Sequence, residues 1–148
     1  SQPTYSEIDI LENPVGPATG NRAHQTFHGG PTATNKNSKT ANNTIEMGNW
    51  NIYWLEWYPD RIIGGVNGKA YFEHKKGDNG NTDWPWSDPA GFYVIFSTGL
   101  SVNPNAWPGA VNPAAWDKQN PPSMYIDWIR VYVNDNYAGK KAPKVRYY

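Results

Sequence analysis

The chain contains no cysteine, so it holds no disulfide and no thiolate metal site; the compartment is left open by that absence. It has no excess charge of either sign, because 13 basic residues balance 13 acidic ones. Without a basic stripe, nucleic acid is not an expected partner. No apolar run approaches the length of a membrane span, so no membrane partner is expected. No segment patterns as a helix longer than a turn or two, and there is no internal repeat. No signal peptide is visible, and the opening Ser1-Gln2-Pro3 reads as a processed or trimmed end.

What is abundant is turn-forming and aromatic. Fourteen glycines and 13 prolines in 148 residues, with 8 tryptophans and 10 tyrosines, point to a single all-β domain rich in turns. A core of this size does not absorb so many large rings. Amphipathic rings left at a surface stack on flat apolar faces such as those of pyranose sugars, although for any one tryptophan an ordinary core position competes with that reading.

One stretch concentrates charge. Tyr5-Ser6-Glu7-Ile8-Asp9-Ile10-Leu11-Glu12 interleaves three carboxylates with aliphatic side chains. In a strand Glu7 and Asp9 share one face and Ile8 and Ile10 the other, while Glu12 falls on the apolar side. One extra residue near Ile10-Leu11, a β-bulge, returns Glu12 to the face of Glu7 and Asp9.

The remaining strands follow from alternation and punctuation. Residues 22–28 alternate Arg22, His24, Thr26 and His28 against Ala23, Gln25 and Phe27. Residues 31–43 are small and polar and read as a long exposed loop. Asn49 to Tyr58 reads as a strand with Tyr53, Leu55 and Trp57 on one face. Arg61 to Val66 and Lys69 to His74 flank Asn67-Gly68, a two-residue hairpin signal. After a loop carrying Trp84 and Trp86, Gly91 to Leu100 is almost continuously apolar, the pattern of a strand buried on both faces. A loop with Trp107 and Trp116 leads to a last strand, Ser123 to Val133, with one short strand possible at Val145 to Tyr148. Such strands between turn-rich loops predict two stacked antiparallel sheets, a β-sandwich.

With the bulge in place, Glu7 and Glu12 are spaced like residues four apart on a regular strand, about 13 Å between Cα atoms at ~3.3 Å per residue. Each glutamate leans about 4 Å toward the other, leaving carboxyl groups roughly 5 Å apart, the spacing of a retaining glycosidase. One would attack the anomeric carbon; the other would protonate the leaving oxygen and later activate water. Asp9, between them, would help keep the acid protonated. Two alternatives compete. A calcium site would draw on several oxygens, but such loops are irregular rather than threaded with isoleucine. A merely solvated acidic face would set like charges side by side without partners.

The same residues carry a resemblance. Glu7-Ile8-Asp9-Ile10-Leu11-Glu12 is similar to the bulged E-I-D-x-x-E signature of glycoside hydrolase family 16, in the form typical of laminarinases, agarases, porphyranases and carrageenases. His24-Gln25-Thr26-Phe27-His28 resembles that family's H-x-T-x-H strand. Trp54 to Ile62 with Val66-Asn67-Gly68 resembles its E-W-x-P-D-x-I hairpin, Trp107-Pro108-Gly109 its W-P-G loop, and Met124 to Tyr132 its closing strand. The resemblance spans residues 7 to about 133.

It implies a jelly-roll, concanavalin-like sandwich and retaining endo-hydrolysis of a β-linked polysaccharide. Glu7 would be the nucleophile, Asp9 its assistant and Glu12 the general acid/base, with His28 beside them. Arg22, His24, Trp84, Trp86 and Trp107 are the further candidates for substrate binding. No cofactor is required; Asp127 falls where some relatives hold a structural calcium, and pairing to Arg130 or to backbone competes there. Zero net charge and only four arginines lean toward a neutral β-1,3- or mixed-linkage glucan over a red-algal galactan, with Arg22 placed to contradict that. A non-catalytic, lectin-like sandwich is the alternative from another class. The family places about half the jelly roll before the carboxylate strand, where this chain has Ser1 to Ser6. The expectation is therefore a partial domain, or one completed by a second chain. The sequon Asn42-Asn43-Thr44 and a polysaccharide substrate fit a secreted, periplasmic or cell-surface protein.

Overall fold

A computed structural model describes residues 7–14, 22–29, 39–78, 91–99, 101, 103, 109–110, 119 and 123–133. Among the described residues six strands form two three-stranded antiparallel sheets, and no α-helix occurs. The first sheet has the order β1 (Glu7–Glu12), β2 (Arg22–His28), β3 (Lys39–Thr44). The second has the order β4 (Tyr53–Trp57), β5 (Arg61–Val66), β6 (Lys69–Lys75).

The second sheet is shaped by its turns. Asn67 and Gly68 both take positive φ, 50° and 77°, which a two-residue hairpin between right-twisted strands demands and which asparagine and glycine adopt at least cost. Asn67 also anchors the approach to β4: its side-chain oxygen accepts from the Ile52 amide at 2.9 Å, and its own amide nitrogen donates to the Ile52 carbonyl at 2.9 Å. Pro59-Asp60 turns β4 into β5, closed by the Tyr58 amide donating to the Arg61 carbonyl at 2.8 Å.

The sheets stack through two apolar clusters. Phe27 of β2 meets Ile62 and Phe72 of the second sheet, with Ile8, Ala41, Leu55, Trp57 and Phe92 packed around them. Ala23, Ile45 and Val66 form the other, joined by Leu11 and Tyr53. The inward faces are those that alternation assigns to β2 and β4. Phe27 lies almost flat on the fully buried His74 ring, 3.9 Å between centroids.

Between the clusters sits Gln25, fully buried. It fits because β5 carries Gly64-Gly65 at its centre. A Cβ at Gly64 would strike the Gln25 side-chain oxygen, and one at Gly65 would strike the Lys69 carbonyl and the Trp54 indole. Glycine here serves close approach.

Four expectations need correction. Residues 39–44, read as part of an exposed loop up to residue 43, are β3; pairing with β2 from Arg22↔Thr44 to Phe27↔Lys39 overrides the weak strand propensity of Lys-Thr-Ala-Asn-Asn-Thr. The strand of Asn49 to Tyr58 is shorter, Tyr53–Trp57. Residues 91–99 form no strand, and beyond Phe92 they are exposed, with Ile95 at 68%. Residues 123–133 form none either, and Tyr132 is 79% exposed. Both segments have the composition of strands, but a strand exists through its ladder, and neither segment joins a ladder among the described residues. Leu100 and Val145 to Tyr148 lie outside the described residues.

Candidate active site

The site is built by a register shift. Across β1 and β2, Glu7 stands opposite His28, Ile8 opposite Phe27 and Asp9 opposite Thr26; the next pair is Glu12 opposite His24. Three steps along β1 are matched by two along β2, so Ile10 and Leu11 together face Gln25. This is one extra residue, at the place the misplaced glutamate demanded. In an unshifted ladder Glu12 would face Ala23 and enter the cluster with Ile45 and Val66. Leu11 takes that inward position instead. Glu7, Asp9 and Glu12 therefore share a face with His24, Thr26 and His28.

The side chains on this face interact. His28 Nε2 lies 3.1 Å from Asp9 Oδ2. Thr26 Oγ1 donates to Glu12 Oε2 at 3.3 Å. Glu7, Asp9 and His28 bring ligand-type atoms within 4.8 Å of one another. Arg22, at the exposed end of β2, donates to Asn42 Oδ1 at 3.3 Å.

The electrostatics distinguish the groups. Burial, then the charge of Asp9 and more weakly that of Glu7, push the Glu12 carboxyl above its ordinary range, against the opposing effects of the Thr26 hydrogen bond and of His28. The hydrogen bond that His28 donates to Asp9 raises its imidazole, followed by the charges of Asp9, Glu7 and Glu12, with burial acting against them. Burial and then the Arg22 charge lower His24, so this imidazole is held neutral. The face thus combines an exposed carboxylate at Glu7, a half-buried carboxyl biased toward its protonated form at Glu12, and a His28–Asp9 pair between them. Such a set can donate and accept protons from one face of the sheet.

Of the other candidates, Trp84, Trp86 and Trp107 lie outside the described residues. Asp127 is exposed. Among the described residues the one group of three ligand-type side chains is Glu7, Asp9 and His28, so Asp127 is not joined by such a group there. Thr26 and Gln25 were placed on their faces by alternation without any role; what each does depends on which β1 atom lies opposite, and the register decides that.

No protein-family model matches the chain, and no solved structure matches it. Two curated relatives do. The keratan-sulfate endo-1,4-beta-galactosidase of Sphingobacterium multivorum is 29% identical over 133 residues, covering 88% of this chain and 29% of that protein. The clotting factor G alpha subunit of Tachypleus tridentatus is also 29% identical over 133 residues, covering 88% of this chain and 18% of that subunit. The chain spans less than a third of the length of either relative.

Proposed function

We propose that this chain carries the catalytic face of an endo-acting glycoside hydrolase that cleaves a β-linked polysaccharide with retention of configuration. The observation that carries the reading is the one-residue shift between Asp9 and Glu12, which gathers three carboxylates on one face. Glu7 and Glu12 stand opposite His28 and His24, four residues apart on β2, so about 13 Å separates their Cα atoms at ~3.3 Å per residue. Two glutamates leaning inward close this to roughly 5 Å, within the retaining range.

In the first step a Glu7 oxygen bonds to the anomeric carbon as the bond to the leaving sugar oxygen breaks, and Glu12 gives its proton to that oxygen. In the second, water attacks the same carbon, Glu12 takes a proton from it, and the bond to Glu7 breaks. Burial and the Asp9 charge suit Glu12 to hold the first proton. Asp9, held by His28, sits between the two glutamates.

Two substrate classes divide the reading. Balanced charge and few arginines favour a neutral β-1,3- or mixed-linkage glucan. A β-galactan, sulfated or not, is favoured by the endo-1,4-beta-galactosidase activity of the Sphingobacterium relative and by Arg22, a guanidinium on the carboxylate face suited to sulfate. Reducing-sugar release from laminarin, lichenan, agarose, porphyran and keratan sulfate separates them. Release from the galactans alone removes the glucan reading. The lectin-like alternative is tested by Glu7→Gln: an enzyme loses turnover by orders of magnitude and keeps glycan binding, whereas a lectin has no turnover to lose. A structural calcium held by Asp127, completion by a second chain, and a secreted, periplasmic or surface location are proposals that go with this reading.

A further inference from the structure

The extra residue in β1 leaves a carbonyl that a regular ladder would have used, and a buried backbone carbonyl needs a donor. The donor is a side chain. Gln25, the single residue of β2 facing both Ile10 and Leu11, sends its amide nitrogen to the Ile10 carbonyl at 2.9 Å. The same nitrogen lies 3.3 Å from the Trp54 carbonyl and 3.4 Å from the Gly65 carbonyl on the opposite sheet. Three acceptors surround it, and they identify this end of the amide as the nitrogen. The group is fully buried, and Gly64 leaves room for its oxygen where any Cβ would collide.

We propose that Gln25 is a positioning residue: its amide holds the bulge of β1 in place from inside the core, and through the bulge holds Glu12 on the face of Glu7 and Asp9. The effect on the reaction rests on the glycosidase reading; the effect on the register does not. An apolar side chain of similar length would leave the Ile10, Trp54 and Gly65 carbonyls without this donor, with nothing to favour the extra residue at Ile10-Leu11 over a frayed strand. Returning to an unshifted ladder would drive the Glu12 carboxyl against Ala23, Ile45 and Val66, so the strand should loosen beyond Asp9 rather than re-pair.

The test compares Gln25→Met, which removes the donor, with Gln25→Glu, whose buried carboxyl donates while protonated and repels the three carbonyls once ionised. Register is read by cross-strand backbone NOEs in the full chain. In Gln25→Met the Glu12–His24 contacts should vanish while Glu7–His28 persists. In Gln25→Glu they should be present at low pH and lost as pH rises. On whichever glycan the unmodified chain cleaves, Gln25→Met should lower kcat about 100-fold, the scale of an ångström's misplacement, with KM little changed. The proposal is overturned if Glu12–His24 contacts survive in Gln25→Met. It is equally overturned if both pairs vanish together and Gln25→Glu restores neither at low pH, which would make Gln25 a general core residue. Absence of turnover in the unmodified chain would reject the glycosidase reading and leave the NOE result standing.

Discussion

The Thr26 hydroxyl donates to Glu12 at 3.3 Å, while Asp9, directly opposite Thr26 in the ladder, acts on the same carboxyl through its charge. The two neighbours pull the Glu12 proton in opposite directions. Thr26 favours the ionised form, and Asp9, second to burial, favours the protonated one. If Glu12 is the general acid, kcat/KM falls as pH rises through its pKa. Thr26→Val should therefore move that alkaline limb to higher pH, and Asp9→Asn should move it to lower pH. A pH–rate profile of both variants checks the pair, and shifts of the same sign would contradict the assignment.

Replacing either glutamate should separate chemistry from folding. Glu7→Gln and Glu12→Gln should each cut turnover by about three orders of magnitude or more, with glycan binding retained. Glu12→Gln should in addition be the more stable protein at neutral pH. The folded-state value of Glu12 lies above its ordinary 4.5, so the folded state binds the proton more tightly. Ionising this carboxyl thus costs stability as pH rises from 4.5 through the folded value. Because the group is half exposed, the gain is at most about 1 kcal/mol. Urea unfolding at pH 4 and pH 7 measures it.

His28 carries the opposite pH signature. Its folded value is raised above 6.5, first by Asp9, so its contribution is fully present below pH 6.5 and is lost as pH rises through the folded value. His28→Gln should remove that slope, lowering stability by about 1 kcal/mol below pH 6 and progressively less as pH rises through the folded value. Denaturant midpoints across this range report the difference.

A metal ion and an acid–base reaction compete for the same groups. Glu7, Asp9 and His28 lie close enough to ligate a divalent cation, yet the proposed steps use Glu7 and Asp9 as bare carboxylates. Turnover should therefore be unchanged by EDTA and inhibited by added zinc. If chelation lowers Tm with kcat intact, a structural calcium away from this face is supported; loss of kcat on chelation would overturn the metal-free mechanism.

Gly64→Ala should cost about 1–3 kcal/mol, the range for overpacking a filled core, because its Cβ meets the Gln25 amide. Through the displaced amide it should also lower kcat. Gly48, which has open space around it, provides the control: Gly48→Ala should leave kcat unchanged.

Much of the face was legible from residue order. Alternation in β2 separated His24, Thr26 and His28 from Ala23, Gln25 and Phe27, and Asn67-Gly68 marked its own hairpin, because both are local backbone properties. The misplaced Glu12 even announced the bulge, since a carboxylate among isoleucines is too costly to leave in a core. β3 was not legible: Lys-Thr-Ala-Asn-Asn-Thr has little strand propensity and is a strand because β2 offers it a ladder. Residues 91–99 and 123–133 erred in the other direction, since apolar alternation favours an extended backbone without supplying a neighbour.

The sequence by itself determined that Glu7, Asp9 and Glu12 belong together, because charge and alternation within six residues leave one arrangement in which no carboxylate is buried among apolar side chains. Only the tertiary structure decided how that arrangement is held. The Gln25 amide reaches Ile10 from inside the core, and it reaches that far because Gly64, about 40 residues later, has no side chain to block it. A contact of that kind depends on two sheets meeting, and no period in the sequence encodes it.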